Sequence, residues 1–575
     1  MRVQARLHLW PWSCATSSET FDLSEGETCF PFYGSPTLSI VEGAKVLLAS
    51  RNERFHQLGP PFLPPNSKVN CRLFEVPHGT VEVDKTGGEI LFHCREGREL
   101  FRWRVRLRPD GVVARYEGID EQGKPKDSPL ARTLLNWSSF FDELLDEAQR
   151  HDERNERLEW QAVRDYLERL KKEAQHPFRS VVVDIAEKMR RPMQETVRSS
   201  RRVLFRERGL LPACRMEETD SACLQWYIKQ PGQSMAEKAG PRQRLLMVAR
   251  KETHNLHENR ILKDFLLRCS VAGKRYIANA LSESPAFKIS KRIITVQALV
   301  ALCTQLSEVP HLIDIPAPNP ATPPNYVLLN DVRYRVIWYW YQKLLRQENE
   351  KDSFWDWQSR TWDDIARLLV SIAIILCKSQ LLDNSSFRFS TVYEGALRIR
   401  SEQILGCRAA AGSETGPLLI ERFKNGRLVH RAVMEIVHPD QAEHHPITCH
   451  LGATGAHLYI VMRQLGITDR AHVLIVWAAH TAGSSKSHNW DEIGKSAHNA
   501  LQGYQALLNI ARVSCRPHLS GLVICSTRER DKSEIEFDNK SGTVVISVPT
   551  APANWLGAAE DIAHALVYIS ENIRE

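Results

Sequence analysis

The 575-residue chain has no C-x-x-C pair among its 13 cysteines. That excludes zinc ribbons built on this spacing and suits thiols kept free in a reducing compartment. It has no G-x-x-x-x-G-K-[ST], which excludes nucleotide hydrolysis by a P-loop, and no G-x-S-x-G elbow, although a Ser/His/Asp set assembled from distant residues stays open. Long apolar runs are missing as well. The longest, Leu368 to Cys377, is interrupted by Ser371 and falls well short of the roughly 20 residues of a membrane span. The start, MRVQARLHLWPW, alternates Val3, Ala5, Leu7 and Leu9 with polar residues in the manner of a strand, unlike a secretory h-region. A cytoplasmic protein without membrane contact is expected. Charge of one sign is also scarce: +7 is modest for this length, so a polyanion-binding surface has to come from local clustering.

The composition that remains, 43% apolar and 25% charged, is that of an ordinary soluble protein long enough for three or four domains with real cores. Residues 1–125 read as a β-rich domain. Glu89 to Cys94, Leu100 to Leu107 and Val112 to Tyr116 are strand-like runs separated by Gly97 and by Pro109-Asp110-Gly111, a turn in which Gly supplies positive φ. FRWRVRL puts Arg102, Arg104 and Arg106 on one sheet face, either against phosphate or solvated and ion-paired.

Residues 126–314 read as helical. Leu134, Phe140, Phe141, Leu144 and Leu145, then Leu158, Trp160, Val163, Tyr166, Leu167 and Leu170, recur at helical spacing against a Glu/Arg-rich face, which predicts a long exposed helical arm. Ser180 to Ser200 continues as helix to the neighbourhood of Pro192. The densest basic cluster follows: Lys188, Arg190, Arg191, Arg198, Arg201, Arg202, Arg206 and Arg208, opposed in that window only by Glu195 and Glu207. Arginine forks suit phosphate, so this is the candidate DNA-binding surface; the competing reading is a surface helix paired with acids between Asp142 and Glu156. Glu217, Glu218 and Asp220 fit an acidic helix start better than a metal site.

From Lys251 to Leu267, Thr253, His254, Asn255, His257, Glu258, Asn259 and Arg260 crowd a helix entrance whose buried face is Ile261, Leu262, Phe265 and Leu266. Asn255 or Thr253 is placed to cap it. Asn255, Glu258, Asn259 and Arg260 are expected to form a polar clasp against a core. Residues 315–384 comprise a five-proline linker, IPAPNPATPPN (Ile315 to Asn325), stiff and extended, and an aromatic segment holding Tyr334, Trp338, Tyr339, Trp340, Tyr341, Trp355, Trp357 and Trp362. Base stacking is one use for these rings, but their spacings of three and seven favour core or helix packing.

Residues 385–575 read as α/β. Strands are expected at Leu418 to Ile420, Ala432 to Val437, Leu458 to Met462, His472 to Ala479, Gly521 to Cys525 and Thr543 to Val548, interleaved with helices at Asp491 to Ile510 and Leu556 to Ile573. His438, Asp440, Glu443, His444, His445, Cys449, His450 and His457 include zinc donors, but their spacing matches no closed site and Pro439 and Pro446 mark a loop. No metal is assigned there.

QWYIKQPG (Gln225 to Gly232), KETHNLHENRILKDFLL and YVLLNDVRYRVIWYWYQKLL (Tyr326 to Leu345) together resemble the module that precedes a PD-(D/E)XK nuclease domain in predicted bacterial virus-defence proteins, the McrC-like group. DEIGKSAHNALQGYQALL (Asp491 to Leu508) is similar to the helix after that group's catalytic strand. With the patterns above, an α+β multidomain protein is expected, with a β-rich N-terminal domain and a helical middle, and the resemblance implies that the C-terminal α/β domain is restriction-endonuclease-like. It also implies a nucleic-acid-linked defence role beside a motor ATPase. The strand before the helix, HVLIVWAAH, has Ile475 and Trp477 where the acid and lysine belong. Such a nuclease needs carboxylates to hold Mg²⁺, so the site reads as dead.

Glu394, Glu421 and Glu435 are the remaining catalytic candidates, on a preceding helix and two consecutive strands, though Val437 stands where a lysine should follow Glu435. The expectation is a non-catalytic DNA-binding and assembly subunit of an anti-phage or restriction-type system, without cofactor. The alternatives are a Mg²⁺-dependent DNase using those three glutamates, and a protein-only scaffold whose basic cluster docks an acidic partner.

Overall fold

The computed structural model describes residues 5–15, 20–22, 29–30, 37–41, 45–49, 55–57, 71–75, 82–84, 87–96, 99–107, 113–119, 125–151, 157–215, 218–380, 387–391, 396–398, 417–424, 427–442, 444–451, 454–465, 471–482, 489–510, 517–539 and 542–572. It is a mixed α/β protein in two units, one of residues 1–175 and 349–575, the other of residues 176–348. These are not the four consecutive segments expected from sequence. The physical reason lies in which helices bury their apolar faces against which sheet.

Among the described residues, the first unit opens with ten strands between Ala5 and Leu107, four in one sheet and six in another, including the hairpin Gly87–Glu96 and Glu99–Leu107 that carries FRWRVRL. Helices α1 (Pro129–His151) and α2 (Trp160–Lys172) follow. They are not an exposed arm: Trp137, Phe140, Phe141 and Leu167 are fully buried. Trp137 lies 5.7 Å from Trp362 and its Nε1 donates to Thr550 O at 2.7 Å, while Phe140 meets Trp555 edge to face. Burying each such side chain contributes about 1.5–3 kcal/mol, which outweighs the solvated Glu/Arg face that suggested an arm.

In the second unit, α3 (Val181–Lys188) and α4 (Arg190–Arg198) replace the single expected helix, with Pro192 tolerated in the first turn of α4, where no helical partner is needed for its nitrogen. Strands β1 (Val203–Pro212) and β2 (Arg244–Thr253) then form a two-stranded antiparallel ribbon, with α5 (Ser221–Lys229) in its long connection. Three further helices, α6 (His257–Glu283), α7 (Lys291–Ser307) and α8 (Val332–Asp356), bury Ile261, Phe265, Val296, Leu299, Tyr334 and Ile337 in one core. Helices α6 and α7 approach closely at Gly273, where a Cβ would stand 2.5 Å from Val300 Cγ2. The proline stretch is no boundary between domains. Ile315 is buried in this core, and the carbonyls of Ile313 and Ile315 both accept from Lys263 Nζ at 2.7 Å.

The chain then completes the first unit. Helix α9 (Gln358–Gln380) precedes strands β3 (Phe387–Thr391), β4 (Leu418–Lys424), β5 (Arg427–Val437), β6 (Leu458–Gln464) and β7 (Ala471–Ala479). Helix α10 (Trp490–Ile510), β8 (His518–Thr527), β9 (Glu534–Asn539), β10 (Thr543–Pro549) and α11 (Trp555–Asn572) follow. The eight strands make one sheet in the order β3-β4-β5-β6-β7-β8-β10-β9. It is antiparallel through β7 and parallel between β7, β8 and β10, and α10 supplies the crossover a parallel β7–β8 pair requires. Alternation sends Tyr459, Val473, Ile475, Trp477 and Val523 to the α10 face, where they share a core with Ala497, Leu501 and Trp12. On the opposite face, Trp362 of α9 donates to Ile524 O at 3.2 Å.

Candidate functional site

The polar crowding at the start of α6 roots the ribbon. Asn259 is fully buried; its Nδ2 donates to Arg201 O (2.7 Å) and His254 O (2.8 Å), and its Oδ1 accepts from Tyr334 Oη at 2.6 Å. Tyr334 Oη in turn accepts from Arg201 N at 2.9 Å. The buried Glu258 accepts from Arg201 Nη1 (2.9 Å) and from Asn325 Nδ2 (2.8 Å). Residues just before β1 and just after β2 are thus tied to one side chain, Asn259. Asn255 and Arg260 stay outside this network and bond each other at 2.8 Å. Neither expected cap is used: Leu256 precedes the helix without a side-chain cap, and Thr253 Oγ1 accepts from Asn255 N.

Above that root, side chains from Val203 to Arg208 on β1 and from Arg250 to Glu252 on β2 are exposed. Register places Arg206 opposite Arg250, and by alternation Arg208 and Arg244 share that face. Phe205 stands opposite Lys251. Between Arg201 and Thr253 there are eleven Lys or Arg against six Asp or Glu, so net +5 of the chain's +7 sits in 53 residues. Arg250, Lys251 and Arg244 were missed in the sequence because only pairing with a strand some 40 residues earlier brings them to the cluster.

The expected cluster is divided by its partners. Arg201 belongs to the root, its guanidinium spent on buried Glu258. Lys188 lies 3.6 Å from Asp184 and 5.6 Å from the Trp340 ring, and Arg191 bonds Glu195 at 2.8 Å, both on the helices before the ribbon. Arg190 and Arg198 are exposed there too. On the ribbon, Arg202 pairs with Glu252, Lys251 with Glu207, Arg206 and Arg250 both with Glu218, and Arg208 with Asp220. The partners are local acids, not those between Asp142 and Glu156. Glu217 lies outside the described residues, while Asp220 caps α5 through Cys223 N at 2.9 Å, as an acidic helix start should.

The sheet does not assemble a metal site from the candidate glutamates. Glu394 lies outside the described residues. Glu421 pairs with Arg431 at 2.7 Å; Glu435 accepts from Arg463 Nη2 at 3.0 Å and lies 3.3 Å from His445 Nε2. Glu421 is opposite Arg431, four residues from Glu435 along β5, roughly 13 Å at the rise of a strand. One Mg²⁺ with ligand distances near ~2.1 Å cannot span that gap. Ile475 and Trp477 are both fully buried, with Trp477 Nε1 donating to Thr454 O at 2.9 Å and the Trp12 ring tilted against it at 57°, 5.7 Å between centroids. Neither side chain is open to solvent.

Of the histidine-rich stretch, His445 joins Glu435 and Arg463, and buried His457 accepts from Ala478 N through Nδ1, which leaves Nε2–H facing Asp363 at 3.3 Å. Glu443 lies outside the described residues. No group of three metal-ligating side chains occurs among the described residues. Beside Asp363, Asp364 bonds Arg367 through Oδ1, but its buried Oδ2 has no partner, and burial pushes its carboxyl up to about 8.

Four serine–histidine pairs form among the described residues, and the one at the C-terminal ends of β7 and β8 continues to a third polar side chain. Ser526 Oγ is 2.9 Å from His480 Nδ1, and His480 Nε2 is 2.9 Å from Gln358 Oε1. Ser526 Oγ also accepts from Thr481 N and Ala482 N. The third member is an amide and all three side chains are buried, so the set joins strand ends without offering a nucleophile to solvent. The aromatic belt is mostly core: Tyr334, Trp340, Tyr341, Trp355, Trp357 and Trp362 are buried, and Tyr339 is exposed.

No family model matches the chain, and no curated protein does. Among solved structures it is similar to a chain of the refined half-complex from a tetradecameric assembly of Thermococcus gammatolerans McrB AAA+ hexamers with bound McrC. The identity is 8% and the TM-score 0.21, over 88% of this chain and 86% of that chain. A score that low fixes no fold. Among the described residues, no helix is long and apolar enough to cross a membrane.

Proposed function

We propose that this chain is a non-catalytic DNA-binding and assembly subunit of a bacterial defence system of the restriction type, working beside a motor ATPase or a nuclease. The observation that carries the DNA reading is the exposed ribbon, whose strands bear five Lys or Arg against two Glu within a stretch of net +5. A two-stranded ribbon fits the major groove, and forked guanidinium groups bond phosphates and guanine edges. The binding residues on this reading are Arg202, Arg206, Arg208, Arg250 and Lys251, with Lys188, Arg190, Arg191 and Arg198 on the adjoining helices as phosphate contacts. Arg201 drops out as a root residue. Ion-paired, separated glutamates and an apolar filling at Ile475 and Trp477 support a sheet domain derived from a nuclease without its chemistry. The defence context and the ATPase partner rest on the resemblance of the three middle segments.

The test is retention of duplex DNA by the native chain and by an Arg206→Glu/Arg250→Glu variant. Retention lost in the variant supports the ribbon as the interface. Equal retention moves the interface elsewhere, and no retention by either favours the protein-only scaffold. The DNase alternative is checked with Mg²⁺ or Mn²⁺ and a Glu421→Ala/Glu435→Ala variant.

A further inference from the structure

We propose that Glu218 and Asp220 act as an intramolecular competitor for phosphate, so that the ribbon takes up DNA by exchanging three internal ion pairs for contacts to the polyanion. The inference rests on the DNA-binding reading and adds regulation to it. Glu218 is held at the ribbon's second edge by its own backbone, since Val248 N donates to Glu218 O at 3.0 Å. That anchoring aims its carboxylate at two arginines from different strands: Oε1 at Arg206 and Oε2 at Arg250 Nη2, the latter at 3.1 Å. Asp220, two residues on, bonds Arg208 through Oδ2 at 2.6 Å while its Oδ1 holds Cys223 N. The Arg208 guanidinium and that N–H keep the Asp220 carboxyl well below the usual carboxylate range, so it stays ionised.

The geometry is that of a substitute for a backbone strand of DNA. Two carboxylates on one short segment meet three arginines on one ribbon face, while those arginine side chains remain more than half exposed, at 65%, 56% and 57% for Arg206, Arg208 and Arg250. A phosphate can therefore approach from solvent and displace the carboxylates stepwise. The backbone bridge at Glu218 and the cap at Asp220 keep the competitor nearby once displaced, so the exchange is reversible.

Salt sharpens the argument. Salt weakens the internal pairs as well as the phosphate contacts, so affinity falls less steeply with salt in the native chain than in a chain without the competitor. The test compares the native chain, Glu218→Gln/Asp220→Asn, and Glu283→Gln/Glu308→Gln, which makes the same charge change outside the three ion pairs. Asn retains the cap of α5 and Gln leaves the backbone bridge in place. Binding to a duplex of about 20 base pairs is measured from about 50 to 300 mM salt. The competitor predicts binding tighter by about three- to tenfold at low salt in the first variant, with a steeper slope that meets the native line at high salt. The second variant should show less than half that gain. Equal gains in both variants, or no gain in the first while the native chain still binds, would overturn the competitor and leave the DNA reading intact. Failure of all three chains to bind would overturn both.

Discussion

At the scale of single residues, the clearest commitments are buried polar groups whose partners can be counted. Asn259 makes three hydrogen bonds in a position with no access to water. Asn259→Ala leaves two carbonyls and the Tyr334 hydroxyl without it, and should cost about 2–4 kcal/mol in urea unfolding. A cost below about 0.5 kcal/mol would mean that the root is not held this way. Asp364 gives a pH prediction of definite sign. Its folded carboxyl, pushed up to about 8, binds its proton more tightly than the unfolded chain does, so the stability this brings is complete below about pH 4 and is lost as pH rises towards 8. Asp364→Asn removes the titration and keeps an oxygen for Arg367. The variant's stability relative to the native chain should rise by about 1–3 kcal/mol between pH 5 and pH 8, and a flat difference would refute the assignment.

At the scale of elements, the ribbon makes predictions that its flanking helices do not share. A free arginine that contacts phosphate contributes about 0.9 to the slope of log affinity against log salt, and the internal pairs of Arg206, Arg208 and Arg250 reduce that share, so changing each to Ala should flatten the native slope by less than one unit. Arg201→Ala should instead lower stability, because it strands the carboxylate of Glu258 in the core. The same elements show where sequence was legible. Leu458 to Met462, His472 to Ala479 and Thr543 to Val548 lie inside observed strands because they are buried on both faces and nearly all apolar. Val203–Pro212 was read as part of a helical segment, since its arginines alternate with exposed apolar residues and its partner strand begins some 30 residues after it ends. The clasp was half legible: Glu258 and Asn259 follow from a polar pair facing a core, whereas the roles of Asn325, Tyr334 and Arg201 depend on tertiary packing. Local charge mixing misled the reading of α1 and α2, whose aromatic faces settled their place in the first unit.

At the scale of the whole molecule, the account is of a chain that binds without cutting, with its charge concentrated in one unit and its large sheet filled by apolar and ion-paired side chains. The most direct measurement incubates the native chain with plasmid and linear duplex in Mg²⁺ or Mn²⁺ across a salt series, following retention and strand breaks together. The account predicts intact DNA at every salt, with retention falling linearly in log salt at a slope of roughly −3 to −5 for a handful of phosphate contacts. Strand breaks that disappear in the Glu421→Ala/Glu435→Ala variant, or DNA that is never retained, would contradict it.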